Sequence, residues 1–439
     1  MQSPTQFHIL SFEGPDAYSR AGGIASRVTG LGHALRDAGH LTHLWFIGDP
    51  ELPGHETVEG LRLHRWCQWI SRHHPAGVYD GQDGKQRDLA ASLPPFLVDQ
   101  VLGPHLRVPG TRAVVLAEEW QTVDAVLHLD WLLRAAGLRD RVALYWNANN
   151  LFGFDRVPWR RLGSAATITT VSRYMRQRMW GLGVDALVIP NGLERERLRP
   201  VDDLTTAAFR DRARGRAVLA KVARWDPDKR WLLAVDTVAE LKRQGHRPLL
   251  VARGGIEAHG AEVLARAAAD GLRISERDGG AGAAGLLAVL RDLEDVDLLV
   301  LRSPLSPEAC RLLYRGSHAV LANSGHEPFG LVGLETMAAG GLACTGGTGE
   351  DYAVPGWNAL VLQTRDPNEF VRHFGWLARH PEEGRALRRH GRLTARQYTW
   401  NAVVARTLLP QLGLSGRDVG GKGRTRRPPR SVSRAKGVP

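Results

Sequence analysis

The chain has 439 residues, of which 43% are hydrophobic and 24% charged, and its formal net charge at pH 7 is +12. This length predicts two domains of roughly 200 residues each, with the composition of a soluble globular protein. No run approaches the ~18 apolar residues of a membrane helix, the first residues lack a secretory signal pattern, and the three cysteines lie too far apart for a disulfide framework or a zinc site, so the sequence predicts a cytoplasmic protein.

The chain opens with an apolar strand at residues 7–12, a helix that ends near residue 38, and a second strand at 41–47. This order predicts a βαβ unit. Gly22 and Gly23 stand at the start of the helix, where a glycine backbone can approach a phosphate closely. The spacing is not G-x-G-x-x-G, so no dinucleotide fingerprint is present, and a plain turn explains the two glycines equally well.

Further apolar runs in the first half predict strands at 60–69, 113–117, 142–146, 166–172 and 187–189, whereas residues 71–87 have the composition of a loop. Polar residues follow two of these strands. Glu118 and Glu119 come after the run at 113–117, and Asn149 comes after the run at 142–146. Carboxyl ends of parallel strands are where α/β folds bind ligands, but capping and turn roles for the asparagine are equally compatible with the sequence.

The second half repeats the alternation of strands and helices after a charged linker at about 194–213. We therefore predict an α/β chain with domains at 1–195 and 196–398, a crossover helix at 399–414 and a basic tail at 415–439. The strands are expected at 217–224, 248–252, 296–301, 319–323 and 342–345, and the helices near 257–270, 283–293, 366–379, 382–397 and 400–412.

Arg224 and Lys229 flank a single turn between a predicted strand and a predicted helix. Their side chains can converge on a diphosphate, because guanidinium and ammonium groups are the two usual partners of phosphate oxygens. The alternative is that both are solvated. Asp226 and Asp228, between them, are expected to form the turn and the cap of the helix.

Residues 326–335, His-Glu-Pro-Phe-Gly-Leu-Val-Gly-Leu-Glu, place a turn between a buried strand and a helix that stops at Gly340. Glu327 lies in the turn and Glu335 about one and a half turns into the helix. Backbone N–H groups near Gly330 can meet an anion there. The pair Asp295 and Asp297 could suggest a metal site, but acidic residues at the end of a strand are the favoured reading, and no metal is predicted.

The two glutamates resemble the E-x(7)-E signature of retaining glycosyltransferases of family four, which have the GT-B fold. Two further segments are similar to that family: 189–192, Ile-Pro-Asn-Gly, and 118–122, Glu-Glu-Trp-Gln-Thr. In glycogen synthases a histidine stands at the position of Glu118, and a His-Asn pair stands where this chain has Asn149 and Asn150. These departures put the sugar, the acceptor or the activity itself in question.

The resemblance implies two Rossmann-like, doubly wound domains that face an interdomain cleft, with a C-terminal helix that crosses back onto the first domain. It implies retaining, metal-independent transfer of a hexose from a UDP-, ADP- or GDP-sugar to a hydroxyl of a sugar, glycan or lipid-linked acceptor, without a cofactor. The implied catalytic residues are Arg224, Lys229 and Glu327. The implied donor contacts also include Gly23, Asn191, Phe329, Gly330, Leu331 and Glu335, and Glu118, Glu119 and Asn149 are candidates on the acceptor or sugar side.

Two other kinds of protein would have the same architecture. One is a GT-B-like epimerase or phosphorylase, and the other is a non-catalytic protein that binds nucleotide-sugars, which the replaced histidines would allow. The basic tail holds eight of the 58 lysines and arginines and a single acid. The favoured interpretation is a solvated tail. The alternative is that the tail makes weak contact with the inner face of an anionic membrane. Nucleic acid is not an expected partner.

Overall fold

A computed structural model describes residues 5–414 of the chain. The predicted basic tail, 415–439, lies outside the described residues. Among those that are described, no helix combines the length and apolar character needed to cross a membrane.

The first half of the chain folds around one eight-stranded sheet. Its strands are β1 (Thr5–Leu10), β2 (Leu41–Ile47), β3 (His55–Val58), β4 (Leu61–Trp66), β5 (Arg112–Glu118), β6 (Val142–Ala148), β7 (Thr167–Thr170) and β8 (Leu187–Val188). The order is β3-β4-β2-β1-β5-β6-β7-β8, and every neighbouring pair is parallel except β3 with β4. Helices cover both faces, which explains why the inner strands are continuous apolar runs.

The second half repeats this plan in a seven-stranded sheet that is parallel throughout. Its strands are β9 (Ala217–Val222), β10 (Pro248–Arg253), β11 (Ile274–Arg277), β12 (Leu298–Leu301), β13 (Ala319–Ala322), β14 (Ala343–Thr345) and β15 (Leu360–Val361). Their order is β11-β12-β10-β9-β13-β14-β15. The strand order reverses between β1 and β5 in the first sheet and between β9 and β13 in the second. Ligands of open α/β sheets bind at such points.

The helices of the first half include a long one that the sequence did not indicate. They are α1 (Gly23–Asp37), α2 (Gln68–Ser71), α3 (Gln82–Phe96), α4 (Gly103–Leu106), α5 (Val123–Ala135), α6 (Trp159–Ala165) and α7 (Arg173–Trp180). A π-helical segment, Leu97–Leu102, joins α3 to α4. The prediction of a loop over 71–87 was therefore wrong from Gln82 onward, because α3 begins there.

The helices of the second half alternate with its strands as expected. They are α8 (Asp203–Arg212), α9 (Trp231–Arg243), α10 (His259–Ala269), α11 (Ala283–Val289), α12 (Pro307–Gly316), α13 (Leu331–Ala339), α14 (Pro367–Arg379), α15 (Pro381–Gln397), α16 (Trp400–Val403) and α17 (Leu409–Gln411). A second π-helical segment, Val404–Leu408, joins α16 to α17. Short 3₁₀ turns lie at Trp120–Thr122, Arg139–Arg141, Phe154–Arg156, Arg195–Leu198 and Pro227–Lys229. Helix α8 occupies part of the segment that had been predicted as a linker.

The last helical segment crosses back onto the first domain, as predicted. Trp400 is buried and packs with residues of α1 in the first domain's core. At the same place the two connections between the domains lie side by side: the N–H of Leu193 donates to the carbonyl of Tyr398 over 2.7 Å, and the N–H of Trp400 donates back to the carbonyl of Leu193 over 3.0 Å.

Trp400 of the crossover packs against α1 at Gly30, where α1 has no side chain. A Cβ atom at Gly30 would lie 2.2 Å from Nε1 of Trp400. Gly30→Ala is therefore expected to destabilise the protein by about 1–3 kcal/mol, because the indole must shift. Urea denaturation measures the change. The control is Gly375→Ala in α14, where nothing lies within 4 Å of the added atom and the better helix propensity of alanine should stabilise. Equal or greater stability of Gly30→Ala would contradict the predicted clash.

One edge of the first sheet contains a row of histidines on four neighbouring strands. His8 stacks on His43 with ring centroids 4.6 Å apart. Ring nitrogens of His43 and His64 lie 2.9 Å apart, as do those of His64 and His55. Burial, and after it the neighbouring histidines, lower the pKa of His8 to about 3, of His43 to about 2 and of His64 to about 3. His8, His43 and His64 are thus neutral in the folded protein.

Candidate active site

The carboxyl ends of the two sheets face each other across a cleft of about 740 Å³. The first domain contributes the segments after β1 and β6, and the second contributes the turns after β9 and β13 and the start of α13. The polar side chains that line the cleft are Glu13, Tyr79, Asn149, Asn150 and Asn191 from the first domain, and Lys221, Arg224, Asp226, Asp228, Lys229, Ser324, His326 and Glu327 from the second.

The turn after β9 holds Arg224 and Lys229 against the turn after β13. Asp226 caps the 3₁₀ turn by accepting from the N–H of Asp228 over 2.8 Å, which confirms its predicted capping role. Asp228 in turn accepts from the N–H of His326 over 3.0 Å. Arg224 is exposed and lines the cleft. The two turns therefore form one rigid wall, with the predicted phosphate-binding pair on it.

Lys229 and Glu327 form an ion pair across this wall. Their Nζ and Oε2 atoms lie 2.7 Å apart, and each side chain is about one-fifth exposed, at 20% and 21%. The backbone N–H of Glu327 also donates to Oγ1 of Thr348 over 2.9 Å. The structure thus brings two of the predicted catalytic residues into direct contact, with solvent access from the cleft.

Helix α13 begins at the cleft floor. Its N-cap, Gly330, has φ +78°, and a Cβ atom there would lie 2.6 Å from Cγ of Glu350. Only glycine fits this backbone shape and this space. The first N–H groups of a helix have no partner within it, and Leu331 and Gly333 of the first turn line the cleft. The N-terminal dipole therefore favours an anion at this point.

Glu350, which the sequence-based site omits, lies directly beneath the start of α13. It is buried, and its Oε1 has no hydrogen-bond partner. Burial raises the pKa of this carboxyl to about 7, and the nearby Glu327 carboxylate adds to the effect. Near neutral pH the charge of Glu350 therefore changes a few ångströms from the anion-binding end of the helix.

Lys221 is a third cation at the cleft that sequence reasoning missed. It lies on β9 and is only 1% exposed, and its Nζ donates to the carbonyl of Leu321 over 3.0 Å and to Oδ1 of Asn323 over 3.1 Å. Nζ also lies over the Trp231 ring, 5.4 Å from its centroid. Burial lowers the pKa of Lys221 to about 7. Nothing in the apolar sequence around Lys221 indicates that this residue lies at the cleft.

Glu335, the second glutamate of the signature, lies beside the main cleft. It lines a small cavity of about 80 Å³ that shares Gly23, Asn191 and Leu331 with the cleft. Its Oε1 lies 3.4 Å from Nη1 of Arg197, a residue that the sequence did not single out. Burial raises the pKa of the Glu335 carboxyl.

Glu118 is buried behind the surface of the first domain. Nε of Arg27 lies 3.0 Å from both carboxylate oxygens, and the amides of Asn147 and Asn149 donate to Oε2 over 2.9 and 2.8 Å. Nη1 of Arg27 donates onward to Oδ1 of Asn191 over 2.7 Å. The structure therefore does not place Glu118 on the cleft wall; it holds Asn149 and, through Arg27, Asn191 in position there.

Glu119 supports the same asparagine from its backbone side. Its Oε1 accepts from the N–H of Asn149 over 2.7 Å, and its backbone has φ +67°. Burial, with a smaller effect from Glu118, raises the pKa of Glu119 to about 8. Oδ1 of Asn149 is left without a hydrogen-bond partner in a residue that lines the cleft. Among these candidates, Asn149 is the one that the structure brings to the surface.

The glycine-bearing start of α1 already holds an anion from the chain itself. Oε2 of Glu13 accepts from the N–H groups of Gly22, over 2.9 Å, and Ala25, over 3.1 Å. The hydroxyl of Tyr79 donates to Oε1 of Glu13 over 2.6 Å. Access of a phosphate to the N–H of Gly22, one of the two sequence readings, is therefore blocked by a carboxylate.

Within residues 5–414, no group of three or more His, Cys, Asp or Glu side chains could hold a metal ion. The D-x-D pair is engaged in ion pairs instead: Asp295 with Arg273 over 2.9 Å and Asp297 with Lys242 over 2.7 Å.

Comparison with known proteins finds no matching family model. A curated relative, D-inositol 3-phosphate glycosyltransferase of Nocardia farcinica, is 26% identical over 296 residues, which is 62% of this chain and 59% of the relative. The match thus spans under two-thirds of that relative's length.

Solved structures match over nearly the whole chain. Sucrose-phosphate synthase from Thermosynechococcus elongatus superposes with a TM-score of 0.61 at 19% identity, covering 93% of this chain and 99% of its own. The catalytic domain of starch synthase IV from Arabidopsis thaliana, bound to ADP and acarbose, gives 0.63 at 15% identity, covering 91% and 99%.

The chain has the GT-B fold: two parallel-sheet α/β domains facing one cleft, with a C-terminal helix returned to the first domain. The resemblance to GT-B glycosyltransferases that the glutamate signature indicates is confirmed by these similarities.

Proposed function

We propose that the protein is a glycosyltransferase that moves a hexose from a nucleoside-diphosphate sugar to an acceptor hydroxyl. The observation that carries the proposal is the convergence of Lys221, Arg224 and Lys229 with the start of α13 on one wall of the cleft. Such a wall is suited to a group that gains negative charge as it leaves, and a sugar diphosphate has such a group.

The ion pair between Lys229 and Glu327 suggests how the donor is received. A diphosphate that enters the cleft competes with Glu327 for the Nζ of Lys229, and bidentate contact from Arg224 adds to its binding. Glu327 is thereby released to accept hydrogen bonds from hydroxyls of the donor sugar. In this proposal the protein's own cations neutralise the leaving group, without a metal.

Glu335 is proposed to receive the ribose. Its carboxylate lines the small cavity that adjoins the cleft, and it is held there by Arg197. A carboxylate can accept from both hydroxyls of a vicinal diol. The nucleoside would then lie along α13, with its diphosphate at the helix start near Gly330 and Leu331.

We further propose that the anomeric configuration is retained. The acceptor oxygen attacks the anomeric carbon on the face from which the diphosphate departs; the bond from that carbon to the phosphate oxygen breaks, and the acceptor's proton passes to the departing oxygen. This route needs no covalent intermediate on the protein. The GT-B resemblance and the cation-lined wall support it.

The printed names of the similar proteins agree with this class of reaction. The curated relative is named a glycosyltransferase, and the starch synthase was solved with ADP. Which of UDP, ADP and GDP the donor carries is an open question. The cytoplasmic location and the contact of the basic tail with an anionic membrane stay predictions.

A thermal-shift screen against UDP-, ADP- and GDP-glucose tests the donor half of the proposal. One of the three is expected to raise the melting temperature by several degrees at 100 times its Kd, because ligands that bind only the folded state stabilise it. Mass spectrometry with sugar acceptors then identifies the product.

The alternatives give different products in the same assay. An epimerase would isomerise the donor sugar without acceptor, a phosphorylase would form a sugar phosphate when phosphate is added, and a non-catalytic binder would bind without any turnover. If none of the nucleotides or nucleotide-sugars raises the melting temperature, the proposal is overturned.

A further inference from the structure

The carboxylate of Glu13 occupies the place at the start of α1 where an anion would bind. The side chain is 3% exposed, and its carboxylate accepts from two backbone N–H groups of the helix start and, in a third hydrogen bond, from the Tyr79 hydroxyl. A helix start attracts phosphate because its N–H groups are free and its dipole is positive. Here the carboxylate uses those donors and cancels that charge, although Glu13 lines the cleft.

The rest of the first domain's wall carries no cation. Its other polar side chains are the Tyr79 hydroxyl and the amides of Asn149, Asn150 and Asn191. Among the described residues of that domain, no lysine or arginine lines the main cleft. Asn149 lines the cleft, and its Oδ1 is buried without a hydrogen-bond partner. Arg27, a buried cation of the same domain, has its guanidinium engaged with Glu118 and Asn191. The charges of the cleft are therefore divided: cations lie on the second domain, and a carboxylate and amides lie on the first.

We propose that the acceptor carries no anionic group at the end that meets this wall, and instead presents hydroxyl or ammonium hydrogen-bond donors to Glu13 and Asn149. The proposal rests on the proposed function and names the substrate class of the same cleft. A phosphate ester in this position would meet a carboxylate where it needs N–H donors, and like charges brought together in this way lower affinity steeply.

The first experiment asks whether Glu13 is what excludes the anion. Inorganic phosphate is titrated into wild type and Glu13→Ala, with sodium chloride at equal ionic strength as the reference, and the melting temperature is followed. Both proteins keep the donor-side cations, so a difference between them reports on the start of α1. Glu13→Ala is expected to bind phosphate at least about tenfold more tightly, because the N–H groups of Gly22 and Ala25 are freed.

The matched control is Tyr79→Phe, which removes the hydrogen bond to Glu13 and keeps the carboxylate. Its phosphate response should equal that of wild type. An equal response in wild type and Glu13→Ala would overturn the inference. If Glu13→Ala does not fold, Glu13→Gln replaces it. Its amide oxygen still accepts from the N–H groups of Gly22 and Ala25, so it tests the charge alone, and a response no stronger than wild type's would show that this charge does not exclude the anion.

The second experiment compares glucose with glucose 6-phosphate as acceptor probes for the full chain. Wild type is expected to use the uncharged sugar with a kcat/KM roughly 100-fold higher, and Glu13→Gln should reduce that ratio to about 10 or less. Equal or faster transfer to the phosphate ester by wild type would overturn the inference. If neither probe accelerates donor consumption, the phosphate titration decides alone.

The two proposals fail separately. Lack of binding to every nucleotide and nucleotide-sugar refutes the proposed donor site and leaves the phosphate titration interpretable, since that titration needs no nucleotide. Nucleotide binding combined with identical phosphate responses refutes only the acceptor class.

Discussion

Arg224→Ala is expected to lower kcat/KM for sugar transfer by roughly 100- to 1,000-fold while leaving the fold intact. Arg224 is exposed and lines the cleft, so its removal is expected to take away stabilisation of the leaving diphosphate without disturbing the core. Lys229→Ala should give a loss of similar size. Steady-state rates with saturating acceptor, together with nucleotide affinity from calorimetry, measure both effects.

The matched control is Arg243→Ala at the end of α9, an exposed arginine paired with Glu240 far from the cleft. Its turnover should stay within about twofold of wild type, because an exposed ion pair contributes little. Glu327→Gln separates the two halves of the Lys229 ion pair. It should raise nucleotide affinity, because the diphosphate no longer competes with a carboxylate for Lys229, and it should lose turnover. Folded Arg224→Ala and Lys229→Ala proteins that transfer sugar at the wild-type rate would contradict the assigned roles.

The histidine row is expected to make the protein sensitive to acid. The folded pKa values of His8, His43 and His64 lie well below the ordinary value of 6.5, so the unfolded chain binds more protons between about pH 6.5 and 3. Their contribution to stability is complete above pH 6.5 and is lost as pH falls. Each histidine adds a slope of about 1.4 kcal/mol per pH unit within that window.

Urea denaturation at pH 7.5, 6.5, 5.5 and 4.5 measures this slope. His43→Phe keeps an aromatic ring in the stack and removes one titrating group, so the slope should fall by about 1.4 kcal/mol per pH unit. The control is Gly375→Ala on α14, which neither adds nor removes a titrating group, so the slope should not change. A free energy of unfolding that stays constant from pH 6.5 to 4.5 would show that the row does not titrate on unfolding.

Most of the two sheets could be predicted because their strands are continuous apolar runs bounded by turn residues. The long helix from Gln82 to Leu106 could not, because it carries Pro94 and Pro95 and a π-helical segment, and its polar start resembles a loop. This segment packs against α5, and such tertiary contacts can override the helix propensity of the local sequence. The local sequence does not reveal those contacts.

That Arg224, Lys229 and Glu327 lie together at the cleft was largely predictable, since they stand at strand ends with recognisable spacing. Lys221 was not, because a single lysine inside an apolar strand gives no sign that it faces a cleft. Glu13 was missed for another reason: its partner Tyr79 lies 66 positions further along the chain. Contacts over such separations follow from the fold and are absent from any local pattern.

The paired backbone hydrogen bonds between Leu193 and the segment around Tyr398 and Trp400 bear on how the two domains can move. The chain passes from one domain to the other twice, and these bonds fasten the two passages together. A change in the angle between the domains would therefore bend both passages together. It would also alter the distance between Glu13 and Lys229, which lie on opposite sides of the cleft, and strain the ion pair that joins Arg173 of the first domain to Asp351 of the second.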